Sequence, residues 1–294
     1  MARRSKIKKS SWRDLFTWES ILRRKLFISF IFAGLILVAA FFLIPYKSEP
    51  STEVLGTQVV EIEEYTNNIN SSDERVVTHG SRNQKKIALT FDGEMTDGMK
   101  DNLLSDRRKG SYDARIADIL TQTNTKATFF LTGMWIELYP QVTRDLSGNP
   151  LLELASHSYT DSSFDGYCYG LKQIPNDEKK HEAIAITQKL LKDVAGFDNR
   201  LFRFPGGCYL QKDLDLVNNA GLKVVHWDIS GGDGFNQSSA SIEQNVLGNV
   251  QNGSIIILHL NGSPTAPKTA EALPKIISEL KLRGFEFVKV SELL

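Results

Sequence analysis

The chain has 294 residues, enough for one large domain with extras or for two ordinary ones. Apolar residues make up 41% and charged residues 24%, the balance of a globular protein. The formal net charge of zero hides a split: residues 1–25 carry nine Lys or Arg against two acids, +7, so the remainder carries −7. Basic residues confined to one end exclude a nucleic-acid partner, because no block of the body is rich enough in Lys or Arg to track phosphates.

Residues 26–44 carry no charge, and Ser29 is their single polar side chain. At about 1.5 Å per residue a helix of this length spans close to 30 Å, the thickness of a bilayer core. Arg23, Arg24 and Lys25 precede it directly. The positive-inside rule then puts the N-terminus in the cytoplasm and everything after Tyr46 outside the cell. Residues 1–25 thus read as a cytoplasmic basic tail and 26–46 as a signal anchor. Residues 47–85 are polar, with Ser, Asn, Glu and Thr clusters, and read as a stalk or linker. Cys168 and Cys208 are too few for a disulfide scaffold and lack zinc-ribbon spacing, so one bridge and two free thiols both stay open.

From Lys86 onward, strand-like and helix-like segments alternate. Strands are expected over 87–94, 127–133, 151–157, 201–204, 223–229, 254–259 and 285–290. Helices are expected over 113–123, through Trp135 and Val142, over 177–195 with Gly196 as a stop, and from near Lys212, Ser241 and Thr269. A long Gly-, Ser- and Tyr-rich loop covers 158–175. This alternation points to a parallel sheet, closed as a barrel or doubly wound, with function at the C-terminal strand ends.

Ionisable residues stand at five such ends: Asp92 with Glu94, His157, Arg203, Asp228 with Asp233, and His259. Along the first strand Ala88, Thr90, Asp92 and Glu94 share a face, so one carboxylate can bind a metal while the other takes a proton. His157 and Asp161, four residues apart, fall on one side of a turn and with Glu94 make three protein ligands. Three ligands with an open position is the hydrolytic metal arrangement.

Thr90, Phe91 and Asp92, then His157 and Ser158, then Arg203, Phe204, Pro205, Gly206 and Gly207, then Ile257, Leu258 and His259 occur in that order. Together they resemble the signature segments of the polysaccharide deacetylases, the NodB-like carbohydrate esterase family 4. Residues 127–133 and 288–293 are similar to the same family, and the resemblance covers 86–294 as one domain. It implies a distorted (β/α) barrel of seven or eight strands, here preceded by the transmembrane helix. It also implies a divalent metal, usually zinc, and hydrolysis of an N-acetyl or O-acetyl group on a glycan by a metal-activated water. Carried over by position, Asp92 is the base and Arg203 holds it, while His259 is the acid and Asp233 orients it. The backbone near Gly206 helps hold the oxyanion.

The chain departs from the pattern at several points. Gly93 stands where the family has a second Asp, with Glu94 one residue late, and Asp161 stands for a second His. Gly206 replaces a common Tyr, and Gly234 replaces a Trp. One His and two carboxylates form a harder ligand set, which opens the site to Mn²⁺, Fe²⁺ or Co²⁺ beside zinc. Tyr159 and Trp227 are candidates to stack on sugar rings, with Tyr167 and Tyr169 in the same loop. Alternation places His226 on the face opposite Trp227, away from the chemistry. The expected substrate is an N-acetylated cell-wall glycan, peptidoglycan by default, and the expected catalytic domain is a monomer. Competing readings are an inactive glycan-binding module, a glycosidase pairing Asp92 with Glu94 or Asp228, and a purely structural membrane protein.

Overall fold

Lys86–Gly93 is mostly apolar apart from Lys86, Thr90 and Asp92, and every residue after Lys86 is buried. Such a run fits a strand with partners on both sides and packing on both faces. In the computed structural model, which describes residues 73–235 and 238–294, this segment is the central strand β2 of a parallel sheet. The others in chain order are β1 (Val76–Val77), β3 (Ala127–Leu131), β4 (Leu152–Ser156), β5 (Leu201–Phe202), β6 (Lys223–Val225), β7 (Ile229–Ser230), β8 (Ile255–His259) and β9 (Glu286–Val288). The order is β1-β6-β5-β4-β3-β2-β8-β7, with β9 also on β2, and all pairings are parallel.

Strands β6 and β7 stand near opposite ends of that order, yet only His226, Trp227 and Asp228 separate them. Those residues reach at most about 14 Å. The sheet must therefore curl strongly to bring β6 and β7 together, giving a curled half-barrel of parallel strands that matches the distorted barrel implied by the resemblance. The strand expected over 223–229 is broken because its first half serves β5 and β1 while its second half serves β8.

Period-2 alternation sorts the side chains. Ile87, Leu89, Phe91, Phe129, Leu131, Leu154, Ile256 and Leu258 form the main core cluster with residues of the surrounding helices, such as Trp135, Ile116 and Ile276. Ala88, Phe130, Ala155, Leu201, Val225 and Ile255 form a separate inner cluster. Thr90, Asp92, Arg203 and His259 share the parity of the inner set, so the barrel interior turns from apolar to polar toward the strand C-termini.

Several expectations need correction. The segment before Lys86 is not all linker. Val76–Val77 pairs with β6, Arg75 bridges Asp73 and Asp215, and Arg82 bonds Asp228 and the Asn252 carbonyl. Two valines in a polar stretch give no periodic signal. An unexpected helix, Asp97–Leu104, buries none of its residues, and the Thr96 side chain caps it by accepting from the Met99 N–H. The helix through Trp135 divides into Gly133–Leu138 and Pro140–Gly148, because Pro140 starts a new first turn. The helix from Asp177 ends in a π turn, Leu191–Ala195, stopped by Gly196 as expected. The basic tail, the anchor and most of the proposed stalk lie outside the described residues. Among the described residues no helix is long and apolar enough to cross a membrane.

The loop over 158–175 packs onto β5 through its own aromatic. Phe164 meets Phe202 and Phe204 edge-on at 5.9 and 4.9 Å, over a third cluster with Ile184, Leu214 and Val217. Cys168 and Cys208 are joined by a disulfide that ties the loop to the segment after Arg203.

Candidate active site

Parallel register sets Asp92 directly beside His259 at the ends of β2 and β8. His157 follows β4 by one residue and Arg203 follows β5 by one residue. Arg203 is fully buried and donates from Nη1 to Asp92 Oδ1 at 2.7 Å and to Thr90 Oγ1 at 2.9 Å. Its Nε and Nη2 donate to the Val225 and His226 carbonyls. The guanidinium lies 3.9 Å from the Phe130 ring centroid and 5.5 Å from that of Trp227. Burial lowers the affinity of Arg203 for its proton, and the facing Asp92 charge opposes that loss. This charge-assisted pair fixes the carboxylate in one orientation.

His157 is completely buried, and its Nδ1 lies 2.9 Å from the Arg203 carbonyl. A carbonyl only accepts, so Nδ1 carries the hydrogen and Nε2 presents a lone pair. Burial holds its pKa below the usual 6.5, with Asp92 and Glu94 opposing, which keeps the ring neutral at neutral pH. Nε2 has no hydrogen-bond partner, and neither has the buried Oδ1 of Asp161. Glu94, His157 and Asp161 each offer a ligand atom within 4.8 Å of the others. Burial pushes the Asp161 carboxyl well above its ordinary range, and the nearby Glu94 charge adds to it. Two crowded carboxyl groups, an aimed lone pair and orphaned acceptors are what a divalent cation would satisfy, so these residues fit a metal. No helix is needed: Ser158 takes a left-handed turn (φ 65), and the Asp161 N–H bonds the Met95 carbonyl.

The second pair is His259 with Asp233. Asp233 Oδ1 lies 2.8 Å from Nδ1, while Oδ2 accepts from the His259 N–H and from Thr269 Oγ1. His259 Nε2 lies 3.3 Å from Glu94 Oε1. Burial disfavours the imidazolium, but the charges of Glu94 and Asp233 outweigh it and raise His259 well above 6.5. The arrangement joins a fixed carboxylate, a ligand cluster and a carboxylate-backed imidazole in one pocket.

With that constellation in hand, the known relatives are informative. The polysaccharide deacetylase family model matches residues 79–225. A peptidoglycan-N-acetylglucosamine deacetylase of Bacillus cereus is 30% identical over 220 residues, covering 72% of this chain and 89% of its own. The chain belongs to the polysaccharide deacetylase family. A second Bacillus cereus peptidoglycan-N-acetylglucosamine deacetylase is 29% identical over 209 residues, 71% of this chain and 68% of that protein. The crystal structure of a peptidoglycan N-acetylglucosamine deacetylase bound to an N-hydroxybenzamide superposes with a TM-score of 0.64 at 27% identity, covering 75% of this chain and 92% of that one. As a polysaccharide deacetylase the protein is a hydrolase that removes acetyl groups from a glycan.

Within this deacetylase, seven of the residues singled out from sequence meet in one pocket: Asp92, Glu94, His157, Asp161, Arg203, Asp233 and His259. Trp227 stands over Arg203 at the rim. Other expectations need correction. Tyr159 hydrogen-bonds Glu137 at 2.9 Å and packs where a side chain on Gly133 would touch it, so its ring braces the helix Gly133–Leu138. Asp228 accepts from the Ile255 N–H, Ser254 and Arg82 at the opposite end of β8, which removes it from any glycosidase pair. His226 does not oppose Trp227. Their rings stack at 4.9 Å and 7°, because alternation lapses where the strand breaks. Gly206 (φ 61) lies where a Cβ would come within 2.4 Å of Cys168 Sγ. The disulfide thus explains why a tyrosine is absent here.

Two supporting residues escaped the sequence reading. Asn261 accepts from the Glu94 N–H and donates to the Glu94 carbonyl, and its place two residues past the strand-end His259 was an available signal. Thr269 anchors Asp233 from a later helix, and nothing local announces it.

Proposed function

We infer that the protein is a metal-dependent N-deacetylase of cell-wall peptidoglycan, held on the outer face of the membrane by residues 26–46. The observation that carries the chemistry is the ligand cluster of Glu94, His157 and Asp161 set between the Asp92–Arg203 and His259–Asp233 pairs. Glu94, His157 and Asp161 would hold the metal, with zinc the first choice and Mn²⁺, Fe²⁺ or Co²⁺ accommodated by the two carboxylates. When bound, the ion would supply Lewis-acid chemistry, polarising the acetyl group and making water a stronger acid.

Asp92, fixed by Arg203, accepts a proton from the water whose oxygen adds to the acetyl carbon. The backbone near Gly206 is suited to donate to the developing oxyanion. His259, protonated at Nε2, gives its proton to the sugar nitrogen as the carbon–nitrogen bond breaks. Asp233 stabilises the imidazolium throughout. The products are acetate and a free amine on the glycan.

Names of the relatives support peptidoglycan N-acetylglucosamine as the substrate. The uncharged run over 26–44 supports the anchor, and the disulfide supports an oxidising, extracytoplasmic setting. The test is metal content and acetate release on the purified chain with peptidoglycan. Wild type should bind about one divalent ion and release acetate, Asp92→Asn should keep the ion and lose activity, and His157→Ala should lose both. A chain that binds no divalent ion and releases no acetate would overturn the proposal.

A further inference from the structure

Two glycines leave the immediate walls of this site bare. Position 206 is closed to any side chain by the disulfide, as its Cβ would sit 2.4 Å from Cys168 Sγ. At Gly234 a Cβ would lie 3.4 Å from His259 Cε1, so a side chain there would cover the imidazole, and none does. Aromatic surface appears one step further out on both sides. Tyr169 follows Cys168, and its ring lies 3.3 Å from the Cβ position of Gly206. Phe235 follows Gly234. The two rings meet across the gap at a centroid distance of 5.7 Å and 43°.

Both rings are largely in solvent, Tyr169 at 68% and Phe235 at 78% exposure. Their exposure is not a loop accident on the Tyr169 side. The disulfide fixes its neighbour to the Arg203 segment, Phe164 roots the same loop in the core, and Tyr169 itself takes a left-handed backbone (φ 50) that a bulky residue adopts only at a cost. The pair therefore bridges the base side of the site, reached through Cys208 and Arg203, and the acid side, reached through Gly234 and His259. Exposed, touching aromatics held beside a reacting centre mark a surface meant to be covered.

We propose that Tyr169 and Phe235 form a sugar-stacking subsite that receives the apolar face of a pyranose ring next to the acetylated sugar in the glycan chain. The proposal rests on the deacetylase reading and adds to it where the neighbouring sugar docks. A pyranose ring fits because it presents an apolar C–H face to an aromatic ring while its hydroxyls stay in water. A polymer chain running past His259 must place a neighbouring ring within reach of one of these loops.

The test measures affinity of the full chain in detergent for N-acetylglucosamine and for its tetramer, by calorimetry. Wild type should bind the tetramer more tightly than the monomer. In Tyr169→Ala with Phe235→Ala the tetramer-to-monomer ratio should fall about tenfold, the equivalent of 1.4 kcal/mol. Tyr169→Phe and Phe235→Tyr should restore the ratio, and Leu282→Ala, exposed and outside both loops, should leave it unchanged. Tyr169→Leu with Phe235→Leu keeps apolar bulk without the rings and should fall with the alanine pair. No preference for the tetramer in wild type, or an unchanged ratio in the leucine pair, overturns the subsite. Acetate release by wild type is scored separately: release without ring-dependent binding sinks the subsite alone, and ring-dependent binding without release sinks the deacetylase reading alone.

Discussion

His226 gives the sharpest test of how the interrupted strand is built. Its Nε2 is shut away from solvent without a partner, and its ring is stacked on Trp227 and meets Tyr209 edge-on at 5.3 Å between centroids. Burial, with the charge of Arg203 adding, lowers its pKa from 6.5 to about 4, and Asp92 opposes only in part. Above pH 6.5 the ring is neutral both folded and unfolded and contributes nothing to the pH dependence. Between 6.5 and 4 the unfolded chain takes up a proton that the fold refuses, so stability falls with falling pH. Below 4 both states are protonated and the loss stops growing. At pH 5 the two values imply a loss of roughly 2 kcal/mol relative to pH 7.5. His226→Phe keeps the stacked ring and removes the titration. Urea unfolding followed by tryptophan fluorescence at pH 7.5 and 5.0 should show the wild type losing about 2 kcal/mol more than the variant. His157 shifts in the same direction but is present in both proteins, so it cancels. Equal losses in the two proteins would refute the assignment of a neutral His226 with its Nε2 closed off from solvent.

Three further outcomes are expected. Arg203→Met leaves Asp92 buried without its counter-charge and should cost about 3–5 kcal/mol in thermal or chemical unfolding; a near-neutral effect would mean that the pair is not buried as described. Asp233→Asn keeps a hydrogen-bonding group at His259 but removes the charge behind it. Acetate release should fall by about 10²- to 10⁴-fold with metal content unchanged, and a loss under threefold would contradict the orienting role. Replacing Cys168 and Cys208 together by Ser frees a 40-residue separation. That should cost about 4 kcal/mol in the chain-entropy model, and unchanged stability would show that the loop is held by Phe164 alone.

The parts of the site that were legible in the sequence are those governed by strand periodicity. Asp92, Arg203 and His259 sit at or just past strand ends with inward parity, and a period of two survives in any parallel strand long enough to read. Asp161 is singled out by its spacing of four from His157, although a left-handed turn at Ser158 and the Met95 carbonyl, not a helix, bring it to the cluster. Trouble began where the pattern stopped being regular. Alternation across residues 223–229 misplaces His226, and a single strand over that range makes Asp228 a strand-end carboxylate, but the chain there changes partners from β5 to β8 and the parity is reset. Tyr159 was read by composition, and its neighbours Gly133 and Glu137 come from a helix that sequence spacing does not bring near it. The bond from Thr269 to Asp233 is silent in the sequence for a simpler reason. A threonine says nothing about its bond until the acceptor, supplied by a distant segment, is in place.

The register of β2 with β8 also bears on how the protein comes into being. Asp92 leads the domain, yet its neighbour His259 arrives near the other end of the chain, and Glu94 is clamped by Asn261, 167 residues away. The central strand thus has one edge unfilled until almost the whole polypeptide is available. Folding dominated by such distant pairings is slow, and an open central edge in the meantime invites aggregation. Under the proposed topology, with the N-terminus held in the cytoplasm and the chain beyond residue 46 passing across, the hydrolytic centre would stay unassembled throughout translocation. Activity would then begin only after delivery to the far side, with no separate inhibitor needed to keep the enzyme silent on the way.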